Sequence, residues 1–212
     1  PIPYDFFGRK YPAHLHIDIL DEYQGKGYGA KLMAALFEEL KKRKFKKVLL
    51  VSGNRIMQSG IVNKITDLLE KSTKPVLFCG GGCNSEVAST EIQKFLDNYK
   101  LPVVTSLMGL GAIPKQSEMF IGMVGMHGSY AANVAMHDSD LVIAAGVRFD
   151  DRATGLVNKF CPNAKIIHID IDAAEIDKIL DSAVSVVADV ESIFPIMVEL
   201  SAEKQKKSGL KS

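Results

Sequence analysis

Arg148 and Arg152 flank an Asp150–Asp151 pair just after LVIAAG, an apolar run of strand length. A planar guanidinium grips a phosphate or carboxylate through paired hydrogen bonds, so two such cations at a strand end suit an anionic ligand. The sequence around them is punctuated by glycine. TSLMGLGA starts at Thr105, GMVGMHG carries His127, GVRFDDRATG starts at Gly146, and Gly80, Gly81 and Gly82 form a triplet upstream. Glycine accepts dihedrals that other residues resist and leaves its N–H unshielded, which lets backbone approach a ligand closely. Loops of this kind fit an extended, anionic small molecule.

Each of these residues also has a plainer role open to it. The glycine triplet serves equally as a strand-to-helix turn, His127 as a hydrogen-bonded structural histidine, and the aspartate pair as caps for local amides or partners of their arginines. Asp170 closes the run KIIHID, where an acid either accepts ribose hydroxyls or belongs to simple alternation. His14 and His16 share one face of their strand, as a metal pair does, yet lack a third ligand. Cys79, Cys83 and Cys161 are an odd, sparse set that fits small buried side chains better than a disulfide framework or a zinc site. No metal site is expected. Met119, Met123, Met126 and Met136 read as pliable packing.

The elements that must position these residues alternate between strand and helix. Periodicity predicts a strand at 14–20, a helix at 26–44 and a strand at 47–51, then a helix at 57–71, a strand at 75–79, a helix at 85–98 and a strand at 101–105. A glycine-rich connection follows. Beyond it come a helix at 129–137, a strand at 140–145, a long loop, a strand at 165–171, a short helix from Ala173, a strand at 183–187 and a closing helix from Val190 to about Lys204. Apolar runs such as VLFCG and LVIAAG lack the alternation of a one-faced sheet, as parallel strands covered on both sides do. The fold class expected is α/β: a Rossmann-like, doubly wound parallel sheet with helices on both faces, plus an N-terminal β-α-β unit. Ligands on such sheets bind outside the carboxyl ends of the strands, where the glycine loops fall.

At 212 residues, 47% hydrophobic and 24% charged, the chain has the composition of a globular protein with length for one good core or two small ones. Its net charge of +1 gives no electrostatic footprint for nucleic acid, and the basic runs 41–47 and 204–211 read as solvated faces. No apolar run reaches the length of a membrane span, and no signal peptide opens the sequence. The expected location is intracellular, cytoplasmic or organellar, with neither membrane nor nucleic acid as a partner.

From about Met57 to about Ile196 the order and spacing of these motifs resembles the central domain of the acetohydroxyacid (acetolactate) synthase large subunit, a thiamine-diphosphate enzyme. The resemblance implies a domain that cradles FAD in an extended pose. It assigns Gly80, Gly81 and Gly82 to the first cofactor loop, Ser106 and Leu107 to the second, and Gly125, Met126 and His127 to the third. Gly146, Arg148 and Asp150 belong to the fourth, Asp170–Ile171 and Asp189–Val190 meet the adenosine portion, and Arg152 holds the carboxylate of the acceptor 2-keto acid. Thiamine diphosphate and magnesium belong only to the complete family enzyme, whose flanking domains carry an activating glutamate and a G-D-G…N signature. This sequence has no G-D-G, so the resemblance implies a chain inactive alone, with other synthase domains or subunits as partners.

Residues 13–51 resemble a different family. Gln24, Gly25, Lys26, Gly27, Tyr28, Gly29 and Ala30 give the Q-x-x-G-x-G spacing of the acyl-CoA-binding turn of the GNAT-type N-acetyltransferases, where a helix N-terminus offers free amides to a pyrophosphate. That implies acetyl-CoA as an alternative ligand. The family pattern breaks after Val51: Met57 stands where alanine is expected, and no tyrosine follows to act as general acid. The boundary between the two parts falls near Ser52–Gly53–Asn54, giving an acetyltransferase-like segment 1–53 and a synthase-like domain 54–212.

Overall fold

The computed structural model describes residues 61–209. The expected strand–helix–strand unit before them, with His14, His16 and the acyl-CoA turn Gln24–Ala30, lies outside the described residues.

Among the described residues six strands form, most of them on short, largely apolar runs buried on both faces. They are β1 (Pro75–Cys79), β2 (Val103–Thr105), β3 (Phe120–Met123), β4 (Leu141–Ala145), β5 (Lys165–Asp170) and β6 (Val184–Val187). All pair in parallel, in the order β3-β2-β1-β4-β5-β6. In β1, Leu77 and Cys79 enter one core while Val76 and Phe78 enter the other, so no side of the strand meets water. The chain winds outward in both directions from the β1/β4 pair, which makes the carboxyl end of that pair the topological switch point.

Two helical layers close the faces. On one side lie α1 (Ile61–Lys71), α2 (Glu86–Tyr99) and α5 (Val190–Gly209); on the other lie α3 (Tyr130–Asp138) and the single turn α4 (Asp151–Thr154). In α1, Ile61, Ile65 and Leu69 recur every fourth residue and so share one face, which packs toward α5 and β6. α2 begins at Ser85, whose hydroxyl accepts the Ala88 N–H at 3.0 Å, and ends at Lys100, which adopts the left-handed φ of 49° and returns its N–H to Leu96 at 2.8 Å. Its buried Phe95 meets Phe194 of α5 edge-on, with ring centroids 5.4 Å apart. Such a pair adds about 1 kcal/mol to what the buried area supplies.

Two expectations do not hold. β3 occupies part of the segment read as a glycine-rich connection: it is a half-buried edge strand of four residues, interrupted by Gly122 at φ 141° and offset by a register shift against β2. The helix expected from Ala173 is absent. There the Asp170 and Asp172 carboxylates accept the N–H groups of Asp172 and Ala174, at 2.8 and 2.9 Å, and the chain runs in turns to Asp177, whose φ of 55° is left-handed.

At the opposite, amino end of the sheet, Asp140 ties the start of β4 to the segment before β1. Its carboxylate accepts the Ser72 hydroxyl, the Thr73 N–H at 2.7 Å, the Thr73 hydroxyl at 2.8 Å and the Lys74 N–H at 3.0 Å. Burial opposes the charge, but these bonds outweigh it and hold the carboxyl well below the usual carboxylate range. The folded state therefore stays ionised where the unfolded chain, with an aspartate pKa of about 3.9, takes up a proton. Its contribution is complete above that value and is lost as pH falls below it. Asp140→Ala is expected to lower the unfolding free energy by about 1–2 kcal/mol at pH 7, a figure discounted for solvent screening. Urea melts at pH 7 and pH 3 check this: the gap between wild type and variant should narrow at pH 3, and an equal gap at both would refute the linkage.

Candidate functional site along the carboxyl edge

The six strands end in six loops, and every site residue expected between 80 and 190 lies in or beside one of them. In spatial order the row is Gly125–His127, Ser106–Leu107, Gly80–Gly82, Gly146–Asp150, Asp170–Ile171 and Asp189–Val190. Five inter-strand spacings give it a length of roughly 24 Å.

At the switch point the loops after β1 and β4 lock together backbone to backbone. The Gly82 N–H donates to the Gly146 carbonyl at 3.0 Å, and a Cβ at Gly80 would lie 2.1 Å from that same oxygen. Gly146 adopts φ 54°, and a Cβ there would meet the Gly82 Cα at 2.7 Å. These three glycines are required by one another. Gly81 differs: it is exposed, and its nearest neighbour would be the Met108 side chain at 3.3 Å. Beside it Leu107 and Met108 form an exposed apolar shelf, while Ser106 caps its own turn by accepting the Gly109 N–H at 3.2 Å.

The fourth loop alternates. Val147 and Phe149 are buried, and Arg148 and Asp150 face solvent. Asp150 caps α4, its carboxylate accepting the Ala153 N–H at 3.0 Å, which is the plainer of its two expected roles. Arg152 is exposed, and its carbonyl accepts the Met126 N–H at 3.2 Å, joining the third loop to the fourth. Met126 is 78% exposed and His127 is also at the surface. Sequence reasoning missed the residue that shapes this loop. Asn133 of α3 accepts the Gly125 N–H at 3.0 Å and donates to the Gly125 carbonyl at 3.1 Å. A lone amide inside the apolar helix YAANVAMH was the available signal.

At the far end Asp170 is nearly buried, with one carboxylate oxygen taken by Asp172, and burial pushes its carboxyl above the usual range. Ile171 is exposed. The Asp189 carboxylate accepts the Glu191 N–H at 3.0 Å at the start of α5, and the Val190 side chain belongs to the core, so that pair offers the row mainly backbone. The N-terminus of α2, where a dinucleotide fold usually seats its pyrophosphate, is flanked by Glu86 and by Glu191, which accepts the Ser85 hydroxyl. Negative charge is disfavoured there. Arg148, Arg152 and Gly81 are exposed along the same row.

Among the described residues no group of three histidine, cysteine, aspartate or glutamate side chains is placed to hold a metal ion. Cys79, Cys83 and Cys161 are free and buried, and burial pushes the Cys161 thiol up to about 12. No helix among the described residues is long and apolar enough to cross a membrane.

This strand order, with helices on both faces, defines a Rossmann-like, doubly wound α/β domain. Residues 62–196 match the family described as thiamine pyrophosphate enzyme, central domain, and the chain belongs to that family. It is similar to the acetolactate synthase large subunit of Buchnera aphidicola subsp. Schizaphis graminum, at 43% identity over 72% of this chain and 27% of that protein. Similarity extends to acetolactate synthase isozyme 3 large subunit of Escherichia coli, at 40% over 68% of this chain and 25% of that one, and to chloroplastic acetolactate synthase 2 of Nicotiana tabacum, at 47% over 62% and 19%. The chain thus spans about a quarter or less of the length of these curated relatives. Residues 4–58 match the acetyltransferase (GNAT) family.

Proposed function

We propose that residues 61–209 hold FAD in an extended pose along the carboxyl edge, as the central domain of an acetolactate synthase that decarboxylates pyruvate and condenses the product with a 2-keto acid. The observation that carries this reading is the row itself: six loops in line, with two exposed arginines, an open glycine and an apolar shelf. Those features fit a long ligand with a charged middle and flat apolar ends. Arg148 and Gly81 would hold the pyrophosphate, Asp170 would accept ribose hydroxyls through its unused oxygen, and Leu107, Met108 and Met126 would cover the rings. Arg152 would hold the carboxylate of the acceptor. In the complete enzyme thiamine diphosphate, when bound, supplies the carbanion chemistry, and the groups described above orient and shield what binds beside it.

The match of residues 4–58 favours a second reading, in which the turn Gln24–Ala30 binds acetyl-CoA. Calorimetric titration with both ligands separates the two. FAD is expected to bind more tightly, with a yellow protein as the visible sign, and Arg148→Ala to weaken it about tenfold, equivalent to about 1.4 kcal/mol. Tighter binding of acetyl-CoA, abolished by Gly27→Trp, would reverse the order of the two readings.

A further inference from the structure

His168 lies within β5, wholly buried, and no expected role attaches to it. Its Nε2 lies 3.0 Å from the carbonyl oxygen of Val147, the residue before Arg148. Its ring packs edge-on against Phe149, the residue after Arg148, with centroids 5.0 Å apart. One buried side chain therefore touches the chain on both sides of the exposed arginine.

The rest of that loop is fixed too. The Gly146 N–H donates to Ile169 at 2.8 Å and the Gly146 carbonyl accepts from Gly82 at 3.0 Å. The bond from His168 is the pin that orients the next peptide plane, the one from which Arg148 departs. A carbonyl can only accept, so Nε2 must carry the proton, and Nδ1 has neither a hydrogen-bond partner nor contact with solvent. A second proton at Nδ1 would be buried without an acceptor. Burial accordingly lowers the basicity of the ring, against the pull of the Val147 carbonyl and of the carboxylates of Asp170, Asp177 and Glu175.

We propose that His168, as the neutral Nε2–H tautomer, is a positioning residue that sets the anion affinity of the edge by fixing Arg148. The proposal rests on the FAD reading of that edge. It makes the histidine act through the arginine, so its effect should vanish once the arginine is gone.

The test is a double-mutant cycle on the full chain, read by flavin absorbance titration, with thermal melts confirming that each variant is folded. His168→Phe keeps the ring and removes the donor, and is expected to weaken FAD binding about tenfold. His168→Gln restores an N–H donor and should recover most of the affinity. In an Arg148→Ala background His168→Phe should change affinity by less than twofold. Equal binding by wild type and His168→Phe, or a full tenfold loss in the Arg148→Ala background, overturns the proposal. If His168→Phe does not fold, flavin titration of His168→Gln and nitrogen NMR of the His168 imidazole in the unsubstituted protein decide: a full tenfold loss with glutamine, or a cationic ring or an Nδ1–H tautomer at pH 6, overturns it. Failure of the unsubstituted chain to bind FAD removes the reading beneath the proposal, and the proposal with it.

Discussion

Gly80→Ala is expected to abolish flavin binding and to lower the unfolding free energy by about 3 kcal/mol, the sum of an overpacking cost and one or two broken backbone hydrogen bonds. The added Cβ would sit 2.1 Å from the Gly146 oxygen and 2.4 Å from the Val147 Cα, both backbone atoms that no rotamer change can move. Relief requires the loops after β1 and β4 to part. That movement breaks the bond from the Gly80 N–H to Ala145, 2.9 Å, or from the Gly82 N–H to Gly146, 3.0 Å, and displaces Arg148 with them. Gly81→Ala makes the same chemical change one residue on, at an exposed position where the nearest atom among the described residues is the Met108 Cβ at 3.3 Å. Its stability should stay within about 0.5 kcal/mol of wild type. Flavin affinity should nevertheless fall several-fold, because the methyl covers surface the ligand would use. Denaturant melts and flavin titrations on the two variants decide the matter. A folded, flavin-binding Gly80→Ala protein would show that the loops are not locked as described.

This pair of glycines also marks how far the sequence could be read. The triplet after VLFC announced a tight strand-to-helix turn, and β1 runs over 75–79 as expected. What the sequence could not show is which glycine serves the fold and which is left open, because that depends on Gly146, more than sixty residues away. Strands buried on both faces were legible for the same reason that they are buried: each is a continuous apolar run. β3 was not, since an edge strand of four half-buried residues with a central glycine has neither continuity nor alternation. The helix expected from Ala173 fails because Asp177 adopts a left-handed φ of 55°, through which a right-handed helix does not continue, while its carboxylate accepts the Ser182 N–H at 2.7 Å, a bond that periodicity does not reveal.

The candidate site divides in the same way. Arg148 and Arg152 stood out by type and spacing, and both are exposed at the edge where they were expected. The residues that hold their loops were passed over. Asn133 and His168 lie on neighbouring elements and act on backbone groups, so nothing local in the sequence connects them to the glycine loops. His168 was hidden further by its setting: in KIIHID it reads as one position of a strand, and only the Val147 carbonyl and the Phe149 ring give it a task.

Purified 212-residue chain is expected to form acetolactate from pyruvate no faster than background, even with thiamine diphosphate, magnesium and FAD supplied. Orientation of a substrate lowers a barrier by as much as about 7–11 kcal/mol, but only when the group it must react with is held opposite. In the proposed reading Arg152 would meet the first half of that requirement. Its backbone is fixed by the bond from Met126 and by α4, whose first turn Asp150 caps, and its guanidinium is free in solvent. The second half needs a diphosphate clamp and an activating glutamate, and the family signature that supplies the clamp, G-D-G, occurs nowhere in this sequence. A positioned 2-keto acid would therefore face no carbanion. The assay is acetolactate formation with Arg152→Ala as a control, since a contaminating synthase would be indifferent to that substitution. Turnover above background that disappears in the Arg152→Ala protein would overturn the expectation. It would mean that a diphosphate clamp and an activating glutamate reach this arginine from another polypeptide, across a new interface.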